Sequence, residues 1–90
     1  MRSFAIEEKL QKTLKKISKK DKVLYQAFQR KVEEILTCET VDHYKNLRKP
    51  LQYLKRIHIL GPFVLTFLYI ESEDKIVFYD LDHHDTIYQI

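Results

Sequence analysis

Near the end of the chain two adjacent histidines, His83 and His84, stand between Asp82 and Asp85, with Tyr88 close behind. Imidazole gains and loses a proton near neutrality, so such a pair can act as general acid or base. The cluster has two other readings. Histidine and carboxylate are metal-ligand types, although adjacent side chains on a strand end point apart, which argues against a shared ion. The simplest reading is Asp82 capping a short last turn that carries Ile87 and Tyr88, with the histidines partly exposed. Tyr88 can likewise do no more than cover a sheet edge. A second group lies earlier, where residues 45–56 read Lys-Asn-Leu-Arg-Lys-Pro-Leu-Gln-Tyr-Leu-Lys-Arg, five cations and no acid, followed closely by His58. The lack of acidic partners for Lys45, Arg48 and Lys49 favours phosphate contact over a merely solvated loop. Cutting RNA by its own 2′-hydroxyl needs a base for that hydroxyl, a cation by the phosphate, an acid for the departing 5′ oxygen and in-line placement. Histidine can supply acid or base. A phenol, whose ordinary pKa is about 10, becomes a base only beside positive groups, so Tyr88 would depend on Arg56, Lys55 or a protonated His84. No metal and no cofactor is required.

The elements that must position these groups are legible in the apolar pattern. Three runs rich in Ile, Val, Phe and Tyr, Leu54–Leu60, Phe63–Ile70 and Ile76–Leu81, are separated by Gly61-Pro62 and by an acidic turn, and they predict an antiparallel meander. The middle run is apolar almost throughout, so it should be the central strand with both faces covered. In the first run Ile57 and Ile59 alternate with Arg56 and His58, which places those two on the face away from the isoleucines. After Leu81 the chain is too polar for a continued core strand. Upstream, Ile6, Leu10, Leu14 and Ile17 form one helical stripe, and Leu24, Phe28, Val32, Ile35 and Leu36 form another ending near Cys38. Ser18 or Asp21 can cap the second helix, and so short a link predicts an antiparallel helical hairpin. Met1–Ala5 suits either a strand stub or a frayed helix start.

Composition bounds the rest. Residues 1–56 hold 15 Lys and Arg against 7 Asp and Glu, whereas residues 57–90 hold 1 against 6, so the net charge of +3 hides a basic front and an acidic rear. The basic front suits a polyanion locally, and solvated helix faces are the plainer source of its first-helix lysines. The 90 residues suit one domain spanning 1–90, at a size where folding buries only about 60–65% of the chain's surface. The single cysteine, Cys38, excludes an internal disulfide. No apolar run approaches a membrane span and no signal peptide is evident, so a complete cytoplasmic protein with no membrane contact is expected.

This order of elements resembles the RelE/ParE superfamily of toxin–antitoxin toxins, most closely its RelE branch. The resemblance runs from about Ile6 to Tyr88 through Leu14-Lys15-Lys16-Ile17, Asn46-Leu47-Arg48, Arg56-Ile57-His58-Ile59, Phe63-Val64-Leu65 and the segment 82–88. It implies an α+β fold, with the helical hairpin packed on a three- to four-stranded antiparallel sheet and a short C-terminal helical turn. The implied activity is metal-independent endoribonuclease action on mRNA in the ribosomal A site, inhibiting translation. The implied partners are a RelB-like antitoxin, the ribosome and mRNA, with two toxins on an antitoxin dimer as the usual assembly. Position by position, Arg56 falls on the family's RNA-facing strand cation, His58 on the next, and Tyr88 on the tyrosine taken to accept the 2′-hydroxyl proton. His84, with His83 beside it, falls where many members place a phosphate-stabilising arginine. Lys45, Arg48, Lys49 and Lys55 complete the expected RNA contacts. Most RelE toxins also carry an arginine early in the central strand, and Phe63 stands there. That departure keeps open a toxin that works by binding alone, by occluding the A site or by poisoning a topoisomerase as the ParE branch does.

Overall fold

A computed structural model describes residues 1–49 and 51–87 of the chain. Strand β1 (Ser3–Ile6) leads into helices α1 (Glu8–Lys20) and α2 (Lys22–Thr37). Then follow strands β2 (Lys55–Leu60), β3 (Phe63–Ile70) and β4 (Lys75–His83), and the short helix α3 (His84–Ile87). The fold class is α+β, as expected.

One residue, Asp21, makes the helical hairpin. Its amide closes α1 on the Ile17 carbonyl at 2.9 Å, and its carboxylate accepts from the Leu24 amide at 3.1 Å, opening α2. Of the two candidate caps Asp21 is therefore the one used, and Ser18 sits inside α1. The predicted stripes face the sheet: Leu10, Phe28, Ile35 and Leu36 are buried with Leu65, Phe67, Ile76 and Phe78, and Leu14, Ile17 and Val32 pack beside them. Burial of these side chains, each contributing about 1.5–3 kcal/mol, is the main source of stability.

The sheet order is β1-β4-β3-β2, which makes β3 an interior strand as its apolar run required. Two expectations are corrected. The N-terminal strand joins the sheet parallel to β4, with Phe4 opposite Ile76 and Ile6 opposite Phe78, so the sheet is mixed rather than wholly antiparallel. Arg2 fixes this end. Its guanidinium reaches the Asp74 carboxylate at 2.9 Å and the Ile35 carbonyl at 3.2 Å, its amide donates to the Leu36 carbonyl, and α2 gains partners for its last carbonyls. The second correction concerns β4, which continues two residues past Leu81: Val64 pairs with Asp82 and Phe63 with His83. Ladder hydrogen bonds come from the backbone, so the polarity of those side chains at the open end of the sheet does not end the strand.

The face of β3 turned from the helices carries a smaller core, in which Leu47, Leu54, Val64 and Ile87 are buried with Leu51 and Leu68 against them. The loop before β2 and the last turn of the chain therefore cover the second face of the central strand.

Candidate functional site

The loop that looked irregular in sequence is tied down along its length. Tyr44 anchors its start: the ring packs edge-on to Phe67 at 5.6 Å and the hydroxyl donates to the Glu34 carboxylate at 2.7 Å. Burial first, and then Glu34, push the Tyr44 phenol well above its ordinary range, while the Tyr44 hydrogen bond holds Glu34 below the usual carboxylate range. Further on, the Arg56 amide donates to the Lys45 carbonyl at 2.8 Å, the Leu47 amide to the Leu54 carbonyl at 2.9 Å, and the Asn46 side chain to the Gln52 carbonyl at 2.7 Å. The loop is thus laid against β2, and its apolar residues Leu47, Leu51 and Leu54 pack on the sheet while its charges face out.

Between this loop, β2 and α3 lies a cavity of about 550 Å³ lined by Asn46, Leu47, Arg48, Lys49, Leu51, Arg56, His58 and Ile87. Arg56 and His58 reach it because strand alternation turns them away from Ile57 and Ile59, which pack toward the helices. Arg48, Lys49, Arg56 and His58 are therefore gathered on one surface, and among the described residues no carboxylate lines it. Lys45 and Lys55 are not part of it. The Lys55 ammonium turns inward to the Tyr44 carbonyl and the Asn46 side-chain oxygen, each at 3.2 Å, and so holds the loop. Lys45 is exposed beside the cavity. The apolar part of the lining, Leu47, Leu51 and Ile87, is missing from the residues singled out in sequence. The recurrence of leucine every three or four residues through an otherwise basic loop is the signal that marks it.

The histidine pair lies at the same end of the sheet. His58 pairs with Val64 and Val64 with Asp82, so two strand spacings of roughly 5 Å each separate the His58 and Asp82 backbones. His83 closes β4 and His84 opens α3, their rings stacked with centroids 4.8 Å apart and planes at 27°. The side chains do not point apart as strand alternation suggested, because the chain turns into α3 between them. The expected cap is also reassigned. The Asp82 carboxylate accepts from the adjacent His83 amide at 2.7 Å, whereas the acceptor for an α3 amide is His83 Nδ1, 3.2 Å from the Asp85 nitrogen. His84 Nδ1 lies 3.0 Å from an Asp85 carboxylate oxygen. A carboxylate only accepts, so this contact orients the His84 ring with Nδ1 as the donor. Tyr88 lies outside the described residues, one position after Ile87 of the cavity wall. Phe63, where the resemblance led us to look for an arginine, packs on the helix-side core with its ring 6.3 Å from that of His83.

No family model matches the chain. Individual relatives do. A Methanocaldococcus jannaschii protein named "Putative toxin RelE4" is 45% identical over 89 residues, which cover 99% of this chain and 93% of the relative. Among solved structures, a metal-bound toxin from Helicobacter pylori superposes with a TM-score of 0.77 at 20% identity, over 97% of this chain and 99% of that one. The E. coli RelBE toxin–antitoxin complex matches with a TM-score of 0.71 at 12% identity, over 92% and 96% of the two chains. The structural matches share the fold, and the near-full-length identity to the archaeal relative goes further: the chain belongs to the RelE family of toxins from toxin–antitoxin systems.

Proposed function

We propose that this chain is the toxin of a type II pair and stops translation by cutting mRNA bound at the ribosomal A site. The observation that carries the reading is the cavity in which Arg48, Lys49, Arg56 and His58 converge near the His83–His84 end of the sheet. In this reading Arg48 and Lys49 hold the RNA backbone, Lys55 holds the loop that presents them, and Arg56 offsets charge on the scissile phosphate. The 2′-oxygen attacks phosphorus, Tyr88 takes its proton, and the bond to the 5′ oxygen breaks as His84, or His83 beside it, delivers a proton from Nε2. The products are a 2′,3′-cyclic phosphate and a free 5′-hydroxyl. The orientation of His84 by Asp85 suits it to the acid's part. No metal or other cofactor enters the step, and alignment of the reacting atoms is left to the ribosome. The cytoplasm, where ribosomes work, is the site of action. The partner we infer is a RelB-like antitoxin in a heterotetramer with an antitoxin dimer. The E. coli neighbour is a toxin–antitoxin complex, and β1 is an edge strand to which an added segment can pair.

The test is mRNA cleavage in a translating extract. Tyr88→Phe combined with His84→Ala should abolish it, and unchanged cleavage by that double variant refutes the catalytic assignment. Phe63 supports one second reading, a toxin that occupies the A site without cutting. Toe-printing on programmed ribosomes separates the two, because occlusion stalls ribosomes on full-length mRNA.

A further inference from the structure

The turn that orients His84 also assembles three ligand-type side chains. His83, His84 and Asp85 each place a ligand atom within 4.8 Å of the others. Measured from the Asp85 carboxylate, His84 Nδ1 is 3.0 Å from one oxygen and His83 Nδ1 is 3.6 Å from the other. Ligands about 2.0–2.1 Å from a tetrahedral zinc lie about 3.3 Å from one another, so the two spacings to Asp85 bracket what the ion needs, and the set as a whole, spread within 4.8 Å, closes on an ion by small ring rotations. The parallel stacking of the two rings is what brings both Nδ1 atoms to one carboxylate. Two imidazoles and one carboxylate form a donor set for borderline cations such as zinc, nickel or copper and a poor one for magnesium, which prefers an all-oxygen octahedron.

The geometry points to a zinc-class divalent site formed by His83, His84 and Asp85, whose occupation silences the nuclease. The inhibitory half rests on the function proposed above, because the ligands include the imidazoles that reading uses for proton delivery. Binding replaces the Nδ1 proton that His84 shares with Asp85, and that proton leaves to solvent. It also takes the His83 Nδ1 lone pair from the Asp85 amide, a neutral hydrogen bond that a dication outcompetes. His84 is then held as a metal ligand that has given up its Nδ1 proton, so it can no longer form the imidazolium that would deliver a proton, and the Asp85 carboxylate no longer orients a proton donor. With three protein ligands among the described residues, on a half-exposed turn, binding should be reversible and of about micromolar strength rather than structural.

The test measures zinc binding and cleavage separately on the full chain. Titration against a chromophoric zinc chelator should give one zinc per chain, with affinity falling tenfold or more in His84→Ala and in Asp85→Ala, each variant's fold being checked by thermal unfolding. Cys38→Ser and His43→Gln, remote from the turn, should bind as the parent does, and magnesium should not compete. Zinc bound equally by His84→Ala, or not bound at all, overturns the site. In the translating extract the parent should lose cleavage as free zinc is raised through its binding range and regain it with chelator. Cleavage indifferent to bound zinc overturns the inhibitory role. A chain that never cleaves mRNA, with chelator or without, refutes the nuclease reading and with it that inhibitory role, while the zinc stoichiometry decides the site on its own.

Discussion

Replacing Arg48 and Lys49 together by glutamine tests the cation-lined cavity most directly. Three permanent cations, Arg48, Lys49 and Arg56, line it, and each phosphate contact on single-stranded RNA adds about 0.7 to the slope of log K against log salt. A short oligoribonucleotide made uncleavable by one 2′-deoxy position should therefore bind with a slope of about −2, losing about 20-fold in affinity between roughly 50 and 200 mM salt. The double variant keeps only Arg56, so its slope should fall to about −0.7 and its loss over the same range to about threefold. Fluorescence anisotropy across a potassium chloride series reads both numbers. Lys15→Gln with Lys16→Gln, on the solvated side of α1, is the control and should leave the slope alone. A double variant at 48 and 49 that titrates as the parent does, or a control that flattens the slope, would show that RNA binds elsewhere and refute the reasoning.

The other predictions concern what holds the site in place. Tyr44→Phe removes the hydroxyl that Glu34 accepts and should cost about 1 kcal/mol in urea unfolding at neutral pH, at the low end because Glu34 is half-exposed and can be rehydrated. Glu34 is held below its unfolded pKa mainly by that bond, so the stability it confers is present above the ordinary carboxylate range, near 4.3, and lost as pH falls through the folded value. The difference between parent and variant should accordingly shrink in acid, and a pH-independent difference would contradict the assignment. Arg2→Met removes the guanidinium donor from the Ile35 carbonyl of α2 and the Glu39 carbonyl just past it and should lower stability by about 2–3 kcal/mol, seen as a lower urea midpoint at unchanged slope. Gly61→Ala should cost about 1–2 kcal/mol from backbone conformation alone, since φ is +55° and a methyl there meets nothing within 4 Å; Gly61→Asn should recover part of the loss.

The elements whose apolar period was long enough to repeat were legible in the sequence. The stripes of α1 and α2 and the meander from Leu54 to Leu81 required nothing beyond local pattern, and the meander's alternation already placed Arg56 with His58. What escaped depended on contacts distant in sequence or on single side chains. Four residues, Ser3–Ile6, are too few to show a period, and their parallel pairing follows from where β4 returns more than 70 positions later. The inward turn of Lys55 could not be distinguished from an outward one, because its acceptors are a carbonyl and an amide oxygen of the preceding loop rather than an acid. Asp82 is the cap the sequence favours at α3, since aspartate is a common capping residue, yet the carboxylate there is taken by the next amide and the imidazole of His83 serves instead.

A single strand explains why the fold carries the site with so few groups. Along β2 the odd positions Ile57 and Ile59 pack into the helix-side core, and the even positions Arg56 and His58 line the cavity on the other face. The helices cover the larger core on one face, and the leucines of the 47–54 loop with Ile87 cover the smaller one on the other. That cover brings Arg48 and Lys49 with it, since residues between the anchoring leucines must point outward. The basic surface is thus a by-product of how the second core is closed. Weakening that small core should loosen the cations along with it, whereas a change at Arg48 or Lys49 should alter binding and leave the fold intact. Stability and RNA affinity are therefore separable at the charges but coupled at Leu47, Leu51 and Leu54.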